Sequence, residues 1–309
     1  ESTSCTFDSS KKISYVVTFM KEDNKTVLET RKVSSGSVLG NLPSTRQYFT
    51  KTGGNGTEYT STSTITDDAL VYPKLTKFEL DSWTTIATNV RNGNTGDYNV
   101  GDTKEVNLGT TYGTHTLRIA NTTTPSECST SGFSQTACGF VLEFADIITT
   151  YEMNDTDTNV GGWPASSMYD FVNYDIYNSL PSDLKSTIID TTVVSSHGST
   201  NGENFTSIDK LYLLSLKEVY SDWSTNSYSS YDSAKDLTRT LDYYINKNVT
   251  SSDDSETIKK YKTTDSWWWL REAHSNYDHS FFIVPTDDYS YFSTYANTSG
   301  GVSPAFRIG

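Results

Sequence analysis

The chain has 309 residues, with 24 Lys and Arg against 38 Asp and Glu, a formal net charge of −14 and a sequence pI near 4.6. That balance excludes the clustered positive charge by which proteins neutralise nucleic-acid phosphates. No apolar run approaches the roughly 18 residues of a membrane span, so neither nucleic acid nor membrane insertion is expected. Leu, Ile, Val and Phe number 63 of 309, close to the compositional edge of disorder, but 21 Tyr and 6 Trp point to a folded chain whose core is supplemented by aromatic rings.

Residues 1–12 form an N-terminal leader without the apolar centre of a signal peptide, so any export signal is expected to have been removed. From residue 13 the pattern is β. Ile13-Ser14-Tyr15-Val16-Val17-Thr18-Phe19 is β-branched and aromatic, and Lys21-Glu22-Asp23-Asn24-Lys25 is a polar turn. Thr26 to Val33 is the return strand, Ser35-Gly36 and Gly53-Gly54-Asn55-Gly56 are turns, and Ala69-Leu70-Val71-Tyr72-Pro73 closes the unit. Tyr15-Val16-Val17-Thr18-Phe19, Arg31-Lys32-Val33 and Ser63-Thr64-Ile65-Thr66-Asp67-Asp68-Ala69-Leu70-Val71-Tyr72 resemble an internalin B-type repeat. The resemblance implies a small β-grasp-like spacer over 13–76. It departs from the family where the central Gly-Trp is replaced around Tyr48-Phe49-Thr50 and where Leu75 stands for the terminal Trp.

The main domain is expected over 80–309. Ser82 to Ala87, Thr103 to Leu108, His115 to Ala120 and Phe140 to Phe144 read as strands. After Gly161-Gly162-Trp163-Pro164 the period changes: Met168, Phe171, Val172 and Ile176 predict a helix, with Pro164 at its start. Leu180, Leu184 and Ile188 predict a second helix from Pro181, and Leu237, Leu241 and Ile245 a third over 234–246. Leu211 to Leu216 reads as a buried strand, and strands return at Trp267 to Arg271, Ser280 to Val284 and Ala305 to Ile308. Strands, then helices, then strands indicate an α+β fold.

Gly161-Gly162-Trp163-Pro164-Ala165-Ser166-Ser167-Met168, Ile176 to Leu184, Lys210 to Ser215, Trp268-Trp269-Leu270-Arg271 and Gly301-Val302-Ser303-Pro304-Ala305-Phe306-Arg307-Ile308 together resemble a bacterial extracellular domain family of unknown function ending W-W-L-R…G-V-x-P-A. That family is similar to the C-type-lectin-like fold, which also houses formylglycine-generating enzymes and receptor-binding proteins. One departure is Tyr169, where the family has Arg after the Met; a structural ion pair is expected to be lost there.

Several groups could carry chemistry. In the Trp267-Trp268-Trp269 run alternate rings face opposite ways, so at least one set is core, and Arg271 is expected to bridge a carboxylate or loop carbonyls. Between the two family anchors lie His274, Asn276, Tyr277, Asp278, His279, Asp287, Asp288, Tyr289, Tyr291 and Tyr295. Such residues give large contact area at low entropic cost. By the lectin-like resemblance this stretch is the exposed ligand-binding face, with ordinary solvated loops as the alternative. His274, Asp278 and His279 lack a fourth ligand to close a zinc site. Asn154-Asp155-Thr156-Asp157-Thr158-Asn159 resembles a calcium loop without its late Glu, so calcium is possible and an acidic turn is the plainer reading. Cys128 and Cys138 can close a short loop as a disulfide in an oxidising compartment, or remain two thiols, with Cys5 left over.

Catalytic signals are thin. Glu143 and Asp146 are a carboxylate pair of the kind any acidic chain offers, and His197-Gly198-Ser199 lacks a nucleophile elbow. The formylglycine-generating reaction needs cysteines late in the chain, and none follows Cys138. The expectation is therefore an extracellular or cell-surface recognition protein without catalysis or cofactor, binding a host or microbial glycan or protein. A structural surface-layer or stalk component and a glycan hydrolase are the alternatives.

Overall fold

The computed structural model describes residues 12–199, 202–253, 255–286 and 292–309. The chain divides into two compact units, one ending at Leu80 and one running from Asp81 to Gly309.

In the first unit, β1 (Ser14–Met20), β2 (Val27–Ser34), β3 (Tyr48–Lys51), β4 (Asn55–Tyr59) and β5 (Ala69–Pro73) form one sheet in the order β2-β1-β5-β3-β4. β1 runs antiparallel to β2 and parallel to β5, with Val17 beside Ala69 and Phe19 beside Val71. The period of two turns Val17 and Phe19 inward. They meet Val33, Leu39, Tyr48, Ile65 and Val71 in a small core, where the Phe19 and Tyr48 rings pack edge to face at 5.0 Å. So thin a core gains from polar stitching: Arg46 grips Glu79 through its two terminal guanidinium nitrogens, at 2.6 and 3.1 Å.

In the second unit the strands are β6 (Thr103–Asn107), β7 (Thr114–Asn121), β8 (Val141–Phe144), β9 (Thr149–Tyr151), β10 (Thr191–Ser195), β11 (Phe205–Asp209), β12 (Lys259–Tyr261), β13 (Thr264–Ser266), β14 (Trp268–Ala273), β15 (Ser280–Val284), β16 (Ser293–Tyr295), β17 (Gly300–Val302) and β18 (Ala305–Arg307). An antiparallel sheet, β18-β8-β7-β6, joins the end of the chain to the start of the unit. A five-stranded sheet, β16-β15-β14-β17-β9, carries the tryptophan run. β10 and β11 form a hairpin, as do β12 and β13. Short helices join these strands, so the architecture is mixed and sheet-rich.

Both faces of β14 are covered, and every residue from Trp268 to Ala273 is buried. Trp268 donates its indole N–H to the Thr257 carbonyl at 3.1 Å, and Trp269 to the Tyr151 carbonyl at 2.9 Å. The glycines of the terminal motif make room for this layer. A Cβ on Gly300 would stand 2.1 Å from the Trp267 ring, and one on Gly301 2.7 Å from the Trp267 carbonyl oxygen.

Two ion clusters lie in the core. Arg271 donates to both oxygens of Glu218 at 2.7 Å and to the carbonyls of Leu213 and Val194. Glu143 accepts from Arg118, from Lys259 and from the Tyr244 hydroxyl. Burial alone would raise the Glu143 pKa, but the cations of Arg118 and Lys259 hold it down at about 2. Such pairs persist because every lone pair finds a donor.

Four expected elements differ. Of the helix expected from Pro181, only Ser182–Lys185 is helical, with Leu180 before it and Ile188 bridging Ile308. Residues 83–91 form a helix, not a strand. Their β-branched residues suit a strand, but Trp83, Ile86 and Ala87 are buried at helical spacing and Ser82 caps the end by accepting from the Thr85 N–H. Residues 211–216 are buried, but they form no strand: Tyr212 bridges Ala305 alone, and a helix begins at Leu216 through a Ser215–Glu218 capping box. Of 234–246, only Asp242–Asn246 is helical. The threonines before it spend their hydroxyls elsewhere, Thr240 on the Lys217 carbonyl and Thr238 on Glu218. The helix expected after Pro164 spans residues 167–179 with a π-helical stretch at Phe171–Ile176, and it buries Met168, Val172 and Ile176.

Candidate functional site

The loop between β14 and β15 and the end of β16 lie side by side. β15 and β16 pair with Ser280 opposite Tyr295, and the Ala296 N–H donates to the His279 carbonyl at 2.8 Å. This register sets His279 and Tyr295 face to face at 5.0 Å. The stacking continues inward: Tyr277 on His279 at 5.7 Å, His274 on Tyr277 at 4.7 Å, and Tyr231 on His274 at 4.7 Å, with adjacent ring planes 23° to 27° apart. The His274 ring also lies against Phe282, which meets Trp223 edge to face. A row of five rings thus runs from half-buried Tyr231 through buried His274 to exposed Tyr295.

Its inner and outer members differ in chemistry. His274 is only 2% exposed. Burial, with the neighbouring His279, pushes its pKa down to about 4, and its Nδ1 accepts from the Asn276 N–H at 3.1 Å. It is a neutral spacer in the stack, which corrects the expectation that it contacts ligand. β14 delivers it from a strand buried on both faces, so it cannot reach the solvent. Asn276, Tyr277 and Asp278 are exposed, His279 is half-buried with its Nδ1 3.0 Å from Asp278, and Tyr295 is exposed. Asp287, Asp288, Tyr289 and Tyr291 lie outside the described residues, as does Cys5.

The loop is held by a residue that sequence reasoning assigned to an acidic turn. The Asn159 side-chain N–H group reaches the carbonyls of His274 at 3.0 Å, Tyr277 at 2.7 Å and Ser280 at 2.9 Å, and the Asn159 backbone N–H donates to Asp278 O at 2.7 Å. Asn154, at the other end of the same segment, accepts from the Ser167 N–H and donates to the Thr158 carbonyl. The Asn154 amide oxygen is thereby taken by a backbone N–H, and Asn159 spends its amide N–H groups on holding the loop. The base of the stack, Tyr231, was also missed. It sits in a serine- and tyrosine-rich stretch that carries no periodic signal.

The other groups singled out from sequence are placed as structure. Cys128 and Cys138 form a disulfide. Glu143 is fully buried and saturated by its partners, so it has no lone pair free for acid–base work. Asp146 accepts from His115, whose second nitrogen faces the Tyr112 carbonyl. Burial alone would lower the His115 pKa, but these acceptors raise it. The His115 ring thus bridges Asp146 and the Tyr112 carbonyl beside a cleft of about 470 Å³ lined by Tyr112, Tyr261 and Lys262. A second cleft of about 470 Å³ is lined by His197, Glu203, Asn204 and Ser233. There Asn204 and Ser233 satisfy each other, the hydroxyl donating to the amide oxygen at 2.6 Å. Tyr169 packs edge to face on Trp163, whose indole N–H donates to Asp209 at 2.8 Å. Among the described residues no three His, Cys, Asp or Glu side chains gather to hold a metal, and no helix is long and apolar enough to cross a membrane.

Residues 140–309 match the family described as Domain of unknown function (DUF6273). The chain belongs to the DUF6273 family. No curated protein and no solved structure matches it. Every member of the ring stack, and the Asn159 that holds the loop, lies within the DUF6273 match.

Proposed function

We propose that this DUF6273 protein is a secreted or cell-surface bacterial recognition protein that binds a host or microbial glycan or protein through the face formed by Asn276, Tyr277, Asp278, His279 and Tyr295, without catalysis. The observation that carries the reading is the stack itself. It anchors two exposed tyrosines, Tyr277 at 49% and Tyr295 at 55% exposure, to the core, so large rings are presented to solvent without being free to collapse or reorient. Rigid aromatic anchors with polar neighbours are what recognition surfaces use.

Three further features support this assignment. The disulfide suits an oxidising, extracellular compartment. In the second unit the last strand pairs with β8, nearer the start of the unit, as expected of a C-type-lectin-like domain. In the first unit the central parallel pair β1–β5, flanked by antiparallel strands, supports the reading of a β-grasp-like spacer that resembles the internalin B-type repeat.

The test is binding of the full chain to a glycan array and to host and bacterial cells, beside a variant combining Tyr277→Ala, His279→Ala and Tyr295→Ala. Retained thermal stability with lost binding supports the proposal. Unchanged binding by the variant overturns it, and turnover of any array glycan would favour the hydrolase alternative.

A further inference from the structure

We propose that the cleft lined by the β6–β7 and β12–β13 turns is a site for a small zwitterion, a free α-amino acid held by its ammonium on Asp146 and by its carboxylate on Lys262. The site shares no residue with the ring-stack face, so neither reading depends on the other.

The cleft measures about 470 Å³ and is lined by residues 111–115, 146–149, 261 and 262, a size that suits a small molecule. Every one of these lies among the described residues. Ile147 bridges Tyr261 in parallel register, so Asp146 and Lys262 stand one residue to either side of that bridge. His115 fixes the Asp146 carboxylate at Oδ2, 3.1 Å away, and the side chain stays 36% exposed. Among the described residues that carboxylate has no other hydrogen-bond donor. A carboxylate offers about four lone-pair positions. This one is oriented by the fold and keeps capacity for a ligand's N–H groups.

Lys262 points the same way. It takes the first place of a two-residue turn between Tyr261 and Thr264, with a φ of 60°. That is the region where glycine is free and a side chain is strained. Glycine would turn the chain with less strain. What lysine adds is an ammonium at the cleft, 5.2 Å from the centroid of the Tyr261 ring. Strain held at a cleft is a mark of function.

Charge decides the ligand class. A simple anion would meet Asp146, and a simple cation would meet Lys262. A neutral molecule that displaced water would leave both charges without partners. A zwitterion gives each its opposite, and Ile147, Ile148 and the Tyr112 ring supply apolar wall for its side chain.

The experiment is an NMR titration of the isotopically labelled full chain with each of the common L-amino acids, then with the N-acetyl and amide forms of those that bind. We expect saturable shifts at His115, Asp146 and Lys262 with at least one free amino acid. Both blocked forms should bind about tenfold or more weakly, each having lost one charge pair. Lys262→Gly should lose affinity by about the same factor while its melting temperature holds or rises, because the turn is relieved. Lys262→Arg should stay within about threefold of the parent, since the charge remains. The proposal is overturned if no amino acid shifts these residues, if a blocked form binds as the free one does, or if Lys262→Gly binds as the parent does or melts lower.

Discussion

The side-chain amide of Asn159 donates to the carbonyl oxygen of Tyr277 at 2.7 Å, across 118 residues of sequence. It reaches the carbonyls of His274 and Ser280 from the same nitrogen. One side chain therefore sets the path of the loop that carries the exposed rings. Asn159→Asp would replace this donor by an oxygen facing three carbonyls. Because buried groups left without partners each cost about 1–3 kcal/mol, the variant should lose about 2 kcal/mol or more in chemical denaturation. Ligand binding should fall with it, because the register of Tyr277 against His279 depends on that loop.

Two buried carboxylates set the pH dependence of stability above the acid range. Burial, and then the charge of Asp232, pushes Glu272 up to about 8, and burial pushes Asp232 up to about 6. The folded state holds protons that the unfolded chain releases above its ordinary carboxylate pKa of about 4. Stability is then highest near that value and falls as pH rises toward 8. Glu143 has the opposite sign. Held at about 2, it contributes stability that is lost as pH falls through its folded pKa. Melting temperature measured against pH should peak at mildly acidic values, and Glu272→Gln should flatten the alkaline limb alone.

Arg271 and Glu218 are both fully buried and joined through two bonds of 2.7 Å. Arg271→Met would leave Glu218 with hydroxyl and backbone donors and no cation. Removing one partner of a buried pair costs about 3–5 kcal/mol, so the melting temperature should drop sharply. Arg271→Lys should recover only part of it, because an ammonium cannot reproduce the two-pronged contact.

The Cys128–Cys138 disulfide closes a loop of ten residues' separation that supplies Thr136 to Glu218 and the Thr136 carbonyl to the Tyr212 hydroxyl. Replacing both cysteines by serine should cost about 3 kcal/mol on loop-closure grounds. Urea midpoints with and without reductant, on the parent and the double variant, check this: the reduced parent should approach the variant.

Much of the fold was legible where side chains repeat with one period. Val17 and Phe19 mark β1, and Met168, Val172 and Ile176 mark the helix after Pro164. It was illegible where tertiary contacts override local preference. Thr84, Thr85 and Ile86 favour a strand but lie in a capped helix, and Thr238 and Thr240 interrupt a helical leucine pattern by bonding to Glu218 and Lys217. At the site, sequence picked out Tyr277, His279 and Tyr295 but placed His274 on the surface. Its burial depends on β14 being covered on both faces. Neither Tyr231 nor Asn159 carries a local signal, because each acts through contacts more than 40 residues away.

The central claim is that the outer end of the ring stack is where ligand binds. Hydrogen exchange of the full chain, measured with and without the strongest binder from the array, tests it most directly. Protection should be confined to residues 274–280 and 293–297. Protection around His197, Asn204 and Ser233, with 274–280 unchanged, would contradict it.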